Sequence, residues 1–476
     1  SLDVAVRDFQ PRAVTVALDA PDTGDRLAEQ VIADTSMLNV IQEAVVERNY
    51  YTAEEVARIR VRSSLSDAAL RTSRLQVAAG GRTLAETRGL RPEEVVEIPV
   101  DKLALGENAL ALSLSEGGRQ LATTTIMLRR LKPRPGFEVK TDRFRGVVLK
   151  DGTPFFPVGI VMHGVTSKHE QVFKFLAEEI GFNTLVRSGT YKDSTYRSDL
   201  NDAQAYMDLA VKYGFSVVNW GTGKQPHPID GKPLPERLRI HRAKYDQLEP
   251  AIVRETEILR DSPNMLAYWN VDEPNLLNKE ARIAAAEWYF KTVDPIDPYR
   301  PQFLLYSKHI PHGDKWTRWG EVLGYDVYPR PYVGGMYSEP GLATAYYSCD
   351  LRDRCRRDTK VQWFVPLSSH LGPPRAPIGM SRAHLLCQAY TTLIYGSRGL
   401  LYFVLSGVVG EEAWGGLKTI AAQVKMLSPA LLEAPPKQVV SYTPGALRPA
   451  ERQFPVVNVA TFRYPDGAYL LLAANI

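Results

Sequence analysis

Asp272 and Glu273 stand side by side in the stretch Trp269-Asn270-Val271-Asp272-Glu273-Pro274, directly after an apolar run. A carboxyl group in a partly apolar pocket beside another carboxylate has its pKa raised towards the range where it can donate a proton, as general acid catalysis requires. The tripeptide Asp-Glu-Pro also fits the start of a helix, where acids are favoured by the dipole. Its meaning therefore depends on the element that it ends. Other chemistries have less support. The eight histidines show neither H-E-x-x-H nor a Cys/His metal spacing, and a glycine-rich phosphate loop is missing, so neither a metal nor another cofactor is expected. The three cysteines leave two readings open, a local bridge between Cys349 and Cys355 or unpaired thiols, with Cys387 in an apolar helical stretch.

The elements that would position these acids follow from periodicity. Up to about Pro135 the apolar pattern has period two, as in Ala57-Arg58-Ile59-Arg60-Val61-Arg62 and Ala109-Leu110-Ala111-Leu112-Ser113-Leu114. Such runs, separated by Gly, Asn and Ser clusters, predict short antiparallel strands in a sandwich over residues 1–135, with the strand pair around Val14-Thr15-Val16 in it or in a preceding β domain. After the stiff linker Lys132-Pro133-Arg134-Pro135-Gly136, short apolar strands alternate with amphipathic helices, the signature of parallel βα units. Eight strands are expected, beginning near Phe156, Asn183, Ser216, Leu266, Phe303, Val322, Val361 and Gly399. Their number and spacing predict a (β/α)8 TIM barrel over residues 136–434. Pro435 and Pro436 then mark a break, and residues 435–476 read as the start of a C-terminal β domain, incomplete as given.

In such a barrel the reactive groups stand at the C-terminal strand ends. Read in order, these are His163, Arg187, Trp220, Asp272 with Glu273, Tyr306, Asp326 with Tyr328, Ser368 to His370, and Leu405 to Trp414. Aromatic rings stack on the C–H faces of a sugar, and polar groups meet its hydroxyls, so this lining suits a carbohydrate. Trp220, Trp363 and Tyr402 fit barrel packing as well as sugar stacking. Trp414, in the loop after the eighth strand, fits stacking better. His163 and Arg187 could hold hydroxyls or a charged substituent; Trp269, Tyr306, Tyr328 and His370 complete the candidate substrate contacts.

A β-sandwich followed by a (β/α)8 barrel, with a carboxylate and a proline ending the fourth strand, resembles the clan-A glycoside hydrolases. The resemblance spans roughly residues 50 to 430 and rests on domain order and one short motif. It implies a glycosidase in which Glu273 is the general acid/base. Two departures stand out. Asp272 replaces the Asn that precedes the acid in that clan, and the seventh strand, Trp363-Phe364-Val365-Pro366-Leu367-Ser368-Ser369-His370, carries no carboxylate where the clan's nucleophile stands. A retaining mechanism needs two carboxyl groups about 5–5.5 Å apart and an inverting one about 6.5–9.5 Å. The second carboxylate is therefore expected from Asp326, with Glu411, Glu412 or Asp272 behind it. Asp326 fits equally a structural acid that caps a loop or pairs with Arg330. A non-catalytic carbohydrate-binding barrel and a lyase or transglycosidase on the same fold are the alternatives.

Composition narrows the partners. The 58 basic and 54 acidic residues are mixed along the chain, so no field that would attract nucleic acid is expected. The densest basic stretch, Arg352 to Lys360, contains Asp353 and Asp358 and reads as a solvated helix face. No run of about 18 apolar residues predicts a membrane span. The chain starts at Ser1 and stops within a strand-like run, and so reads as a piece of a longer protein. A secreted or periplasmic location follows from the substrate class alone, and no feature of the sequence addresses the oligomeric state.

Overall fold

The structure is a computed structural model; it describes residues 14–19, 26–32 and 40–475, apart from 189, 193–194, 198–199, 221–233, 276–278, 308, 312, 327, 329–339, 372–376 and 441–456. The chain forms two compact units, Ser1–Pro133 and Arg134–Ile476. No helix among the described residues is long and apolar enough to cross a membrane.

The first unit contains a three-stranded sheet (Ile41–Val46, Val56–Ser63 and Glu93–Pro99) and a four-stranded one (Arg82–Arg88, Ser73–Ala79, Gly106–Glu116 and Arg119–Arg130), all antiparallel. Period-two patterning decides which side chains go inside. Ala57, Ile59 and Val61 join one buried cluster with Leu75, Val77, Leu110 and Leu112. The alternating arginines face outward and pair across strands, Arg58 with Glu97 at 2.9 Å and Arg62 with Glu93 at 2.9 Å.

The second unit is built on a closed parallel barrel of eight strands, Val158–Met162, Thr184–Ser188, Ser216–Trp220, Met265–Asp272, Gln302–Tyr306, Val322–Tyr325, Val361–Phe364 and Leu400–Tyr402. All eight expected strands are present. Both faces of each strand are buried, as a parallel sheet wrapped by helices requires. Val161, Val186, Val218, Trp269, Phe303 and Trp363 fill the interior. Tyr268, Tyr306, Tyr325 and Tyr402 belong to the cluster shared with the helices. A small sheet of Val139–Asp142, Val147–Lys150 and Thr153–Phe155 contributes Val139 and Val148 to the interior cluster, at the N-terminal end of the strands.

The helical layer departs from eight equal units. After the fifth strand the described residues form only a 3-10 turn, Asp314–Trp316, in a connection broken by Pro311, Gly313 and Gly320. The basic stretch within the helix Pro340–Asp358 is not the solvated face expected, because Arg352 and Arg354 are buried. The strands Lys437–Val440, Val457–Arg463 and Tyr469–Asn475 form an antiparallel sheet whose Ala460, Phe462, Leu472 and Ala474 share the core of the barrel's helices. Cys349 and Cys355 form no disulfide bridge, and Cys387 forms none either.

One glycine is required by close approach. A Cβ at Gly159, in the first strand, would overlap the carbonyl oxygen of Thr184 on the second. Gly415 lies exposed in the helix Glu411–Glu433 with open space around it. Overpacking costs about 1–3 kcal/mol or more, whereas replacing an exposed helical glycine by alanine gains roughly 0.5–1 kcal/mol. Gly159→Ala is therefore expected to lower the thermal unfolding midpoint by several degrees and Gly415→Ala to raise it slightly, as scanning calorimetry of the two variants would check.

Candidate active site

The fifth strand sets the geometry at the C-terminal mouth of the barrel. Its last two residues present consecutive carbonyls: Leu305 accepts the backbone N–H of Glu273 at 2.8 Å, and Tyr306 accepts that of Asp326 at 3.0 Å. The ends of strands four and six are thus pinned on either side of it, two strand spacings or roughly 10 Å apart along the backbone. Between Trp269 and Asp272 the fourth strand shifts register against the fifth. Asn270 turns away there, donating to Gln302 Oε1 at 2.7 Å and to the Ala286 carbonyl at 3.1 Å. Such irregularities re-aim the residues that follow them.

Glu273 has φ +45°, in the left-handed region. A non-glycine residue is held there at a cost on the order of 1–3 kcal/mol, and only where its surroundings over-determine it. Two contacts do so. The Leu305 carbonyl fixes the Glu273 N–H, and Arg282 of the helix Lys279–Val293 donates to the Glu273 carbonyl at 2.9 Å.

Three carboxyl groups meet at this point. Burial first, and then the charge of Glu273, push the pKa of Asp272 up to about 8, with Arg282 opposing the shift. Burial, followed by the charges of Glu273 and Asp272, raises that of Asp326 well above the usual carboxylate range, against a hydrogen bond donated by Tyr328. One oxygen of Asp272 and one of Asp326 are buried without a hydrogen-bond partner. Like charges this close cannot all ionise, so the group retains protons at neutral pH and titrates as a unit. The Tyr328 hydroxyl is itself held protonated, first by burial and next by Asp326.

An aromatic layer adjoins the carboxyls. The Tyr328 ring stacks on Phe403 at 5.6 Å, Phe403 meets His163 edge-on at 5.6 Å, and His163 lies 5.1 Å from Trp220. His163 Nδ1 is 2.7 Å from Ser188 Oγ, and burial lowers its pKa, which favours the neutral imidazole. Trp220 stacks on Trp269 at 4.6 Å, and its indole N–H is buried without an acceptor. Below it Trp269, Phe303 and Trp363 pack against one another inside the barrel.

The structure thus gathers Asp272, Glu273, Asp326, Tyr328, His163 and Trp220 through their contacts with one another. It adds Phe403 and Ser188, which sequence reasoning missed; Phe403 was legible only as a strand residue, although it directly follows the eighth strand. Other candidates lie elsewhere. Trp269 and Trp363 are fully buried in the barrel interior. Arg187 points into the helical layer, bonded to Asn219 Oδ1 at 2.9 Å and to Glu255 Oε1 at 2.5 Å. Tyr306 also faces outward and donates to the Trp316 carbonyl. Trp414 belongs to the helix Glu411–Glu433 and not to a loop, and it packs edge-on against Phe175 at 5.0 Å. Glu411 and Glu412 are exposed in the first turn of that helix. His370 is in the strand Ser369–Leu371, but its side chain and Arg330 are outside the described residues.

No protein-family model matches this chain, and no curated protein matches it. Solved structures do. It is similar to a β-glucuronidase from an uncultured Clostridium sp., at 13% identity and TM-score 0.42 over 80% of this chain and 68% of that one. It is similar also to a GH2 β-galacturonidase from Eisenbergiella tayi bound to glycerol, at 11% identity and TM-score 0.45 over 86% and 84% of the two chains. A third is a family 39 glycoside hydrolase from Bacteroides cellulosilyticus WH2, at 13% identity and TM-score 0.40 over 90% and 87%. All three are glycoside hydrolases.

The raised carboxyl of Asp272 has a consequence for stability. Its folded-state pKa of about 8 lies above the ordinary 3.8, so the folded state binds the proton more tightly. Its contribution is complete at low pH and is lost as pH rises from about 4 to about 8. Asp272→Asn, neutral throughout, is expected to gain stability relative to the parent across that window and to level off above it. Thermal melts of both proteins from pH 5 to 9 would read the growing difference; a constant difference would refute the shift.

Proposed function

We propose that the protein hydrolyses a glycosidic bond in a poly- or oligosaccharide. The observation that carries this reading is the meeting of three carboxyls at the barrel mouth, Asp272 and Asp326 both raised beside Glu273, next to an aromatic layer. Glycoside hydrolysis needs one carboxyl that keeps a proton for the departing oxygen and one that acts as base or nucleophile, and a proton-sharing group supplies both.

In this reading Glu273 is the general acid/base and Asp326 the second carboxylate, with Asp272 holding the shared proton between steps. The pinning of Glu273 and Asp326 on both sides of the fifth strand supports that pairing. His163 and Tyr328, beside the carboxyls, are polar groups that suit the hydroxyls of a sugar, with Trp220 packed behind them. A secreted or periplasmic location goes with such a substrate.

The seventh strand end, without a carboxylate, favours one other reading, a barrel that binds carbohydrate and does not cleave it. Incubation with a panel of polysaccharides, followed by reducing-sugar release, separates the two. Hydrolysis is expected for the parent, with a loss of roughly 10²–10⁴-fold in Glu273→Gln and in Asp326→Asn, while thermal melts keep both variants folded. Release unaffected in Glu273→Gln would overturn the role of Glu273, and binding without release would support the other reading.

A further inference from the structure

The connection after the fifth strand is held from outside the barrel by one face of the helix Pro340–Asp358. Tyr346, Asp350 and Arg354 stand four residues apart on that face. The Tyr346 ring stacks on that of His309 at 6.5 Å, and Arg354 donates to the carbonyls of Pro311 at 3.2 Å and Gly313 at 2.6 Å. Between them Asp350 makes two contacts. One of its oxygens lies 3.0 Å from His309 Nδ1, which must carry the proton because a carboxylate only accepts. The other accepts the Tyr325 hydroxyl at 2.5 Å, and that hydroxyl accepts the Ile310 N–H at 3.0 Å. Burial first, and next the charge of Asp350, keep the Tyr325 hydroxyl protonated and able to donate.

Both contacts lead to the residues beside the carboxyls. Tyr325 ends the sixth strand and directly precedes Asp326; its ring belongs to the cluster shared with the helices, while Asp326 meets Glu273 and Asp272. The His309 carbonyl accepts Asn275 Nδ2 at 3.2 Å. Asn275 is 2% exposed and is separated from Glu273 by Pro274 alone, whose ring fixes the intervening φ. One carboxylate outside the barrel is thus linked to the chain that follows Glu273 and to the chain that precedes Asp326.

We propose that Asp350 is a positioning residue for the candidate reaction, setting the separation of Glu273 and Asp326 through His309 and Tyr325. The proposal rests on the glycosidase reading. Stability alone does not account for the arrangement at His309, because its side chain is 52% exposed and such an ion pair adds little. Its effect is geometric. Misplacing a catalytic group by about 1 Å costs on the order of 10²-fold in rate, and the charges of the three carboxyls act on one another only while they are held together.

The test compares the parent with His309→Ala, with the double variant His309→Ala and Tyr325→Phe, and with His309→Asn, none of which changes the number of carboxyls. In the double variant the carboxyl absorption that titrates near pH 8 in the infrared is expected to move to lower pH by about half a pH unit or more, as the acids separate. On the polysaccharide that the parent hydrolyses, kcat should fall roughly 10–100-fold with KM within about twofold. His309→Ala alone should show the same changes to a smaller extent, which keeps the proposal testable if the double variant fails to fold. His309→Asn, with an amide donor in the place of Nδ1, should behave as the parent does. A lower unfolding midpoint with the titration and kcat both unmoved would overturn the proposal, as would His309→Asn behaving like His309→Ala. A parent that hydrolyses nothing defeats the glycosidase reading, while the infrared titration still decides whether Asp350 holds the carboxyls together.

Discussion

The mutual repulsion of three carboxyl groups in a space largely closed to water is the constraint on which the candidate site depends. Asp272, Glu273 and Asp326 would ionise separately in water, but at the barrel mouth each charge raises the cost of the next. Keeping such groups together takes rigid support, and the support is backbone. Two successive carbonyls of the fifth strand hold the neighbouring strand ends, and Arg282 fixes the chain where Glu273 takes its left-handed turn. A less ordered loop would let the acids separate and relax into solvent. The strain at Glu273 and the protons retained by its neighbours are two results of one arrangement.

The aromatic residues extend that support downward. Trp220 rests on Trp269, which meets Phe303, which in turn packs on Trp363. The upper rings of this series border the mouth and the lower ones fill the barrel, so a single packed column serves both site and core. That dual use explains why sequence reasoning could not separate tryptophans that border the mouth from those that pack the core. The difference is depth in the barrel, which residue type does not encode.

The barrel was legible because strands buried on both faces write short apolar runs, and eight of them alternate with helical patterns. The ends of those runs located Asp272, Glu273, Asp326, Tyr328, His163 and Trp220. Arg187 and Tyr306 also end strands, yet they face the helices, because successive side chains point to opposite sides and a shift of one residue inverts the assignment. The register shift after Trp269 was hidden for the same reason. Arg187 finds Glu255 across 68 residues of sequence, a pairing that no local pattern announces. The basic run from Arg352 resembled a solvated face because its burial depends on partners distant in sequence, the Pro311 and Gly313 carbonyls for Arg354 and the Tyr395 ring for Arg352.

The arrangement at the barrel mouth rests on shared protons. Infrared titration of the side-chain carboxyls between pH 6 and 9, comparing the parent with Asp272→Asn and Asp326→Asn, reads them directly. Protonated carboxyl absorption persisting at pH 7, part of it titrating near pH 8 and diminished in each variant, is the predicted result. Carboxyls fully ionised by pH 6 in the parent would contradict it.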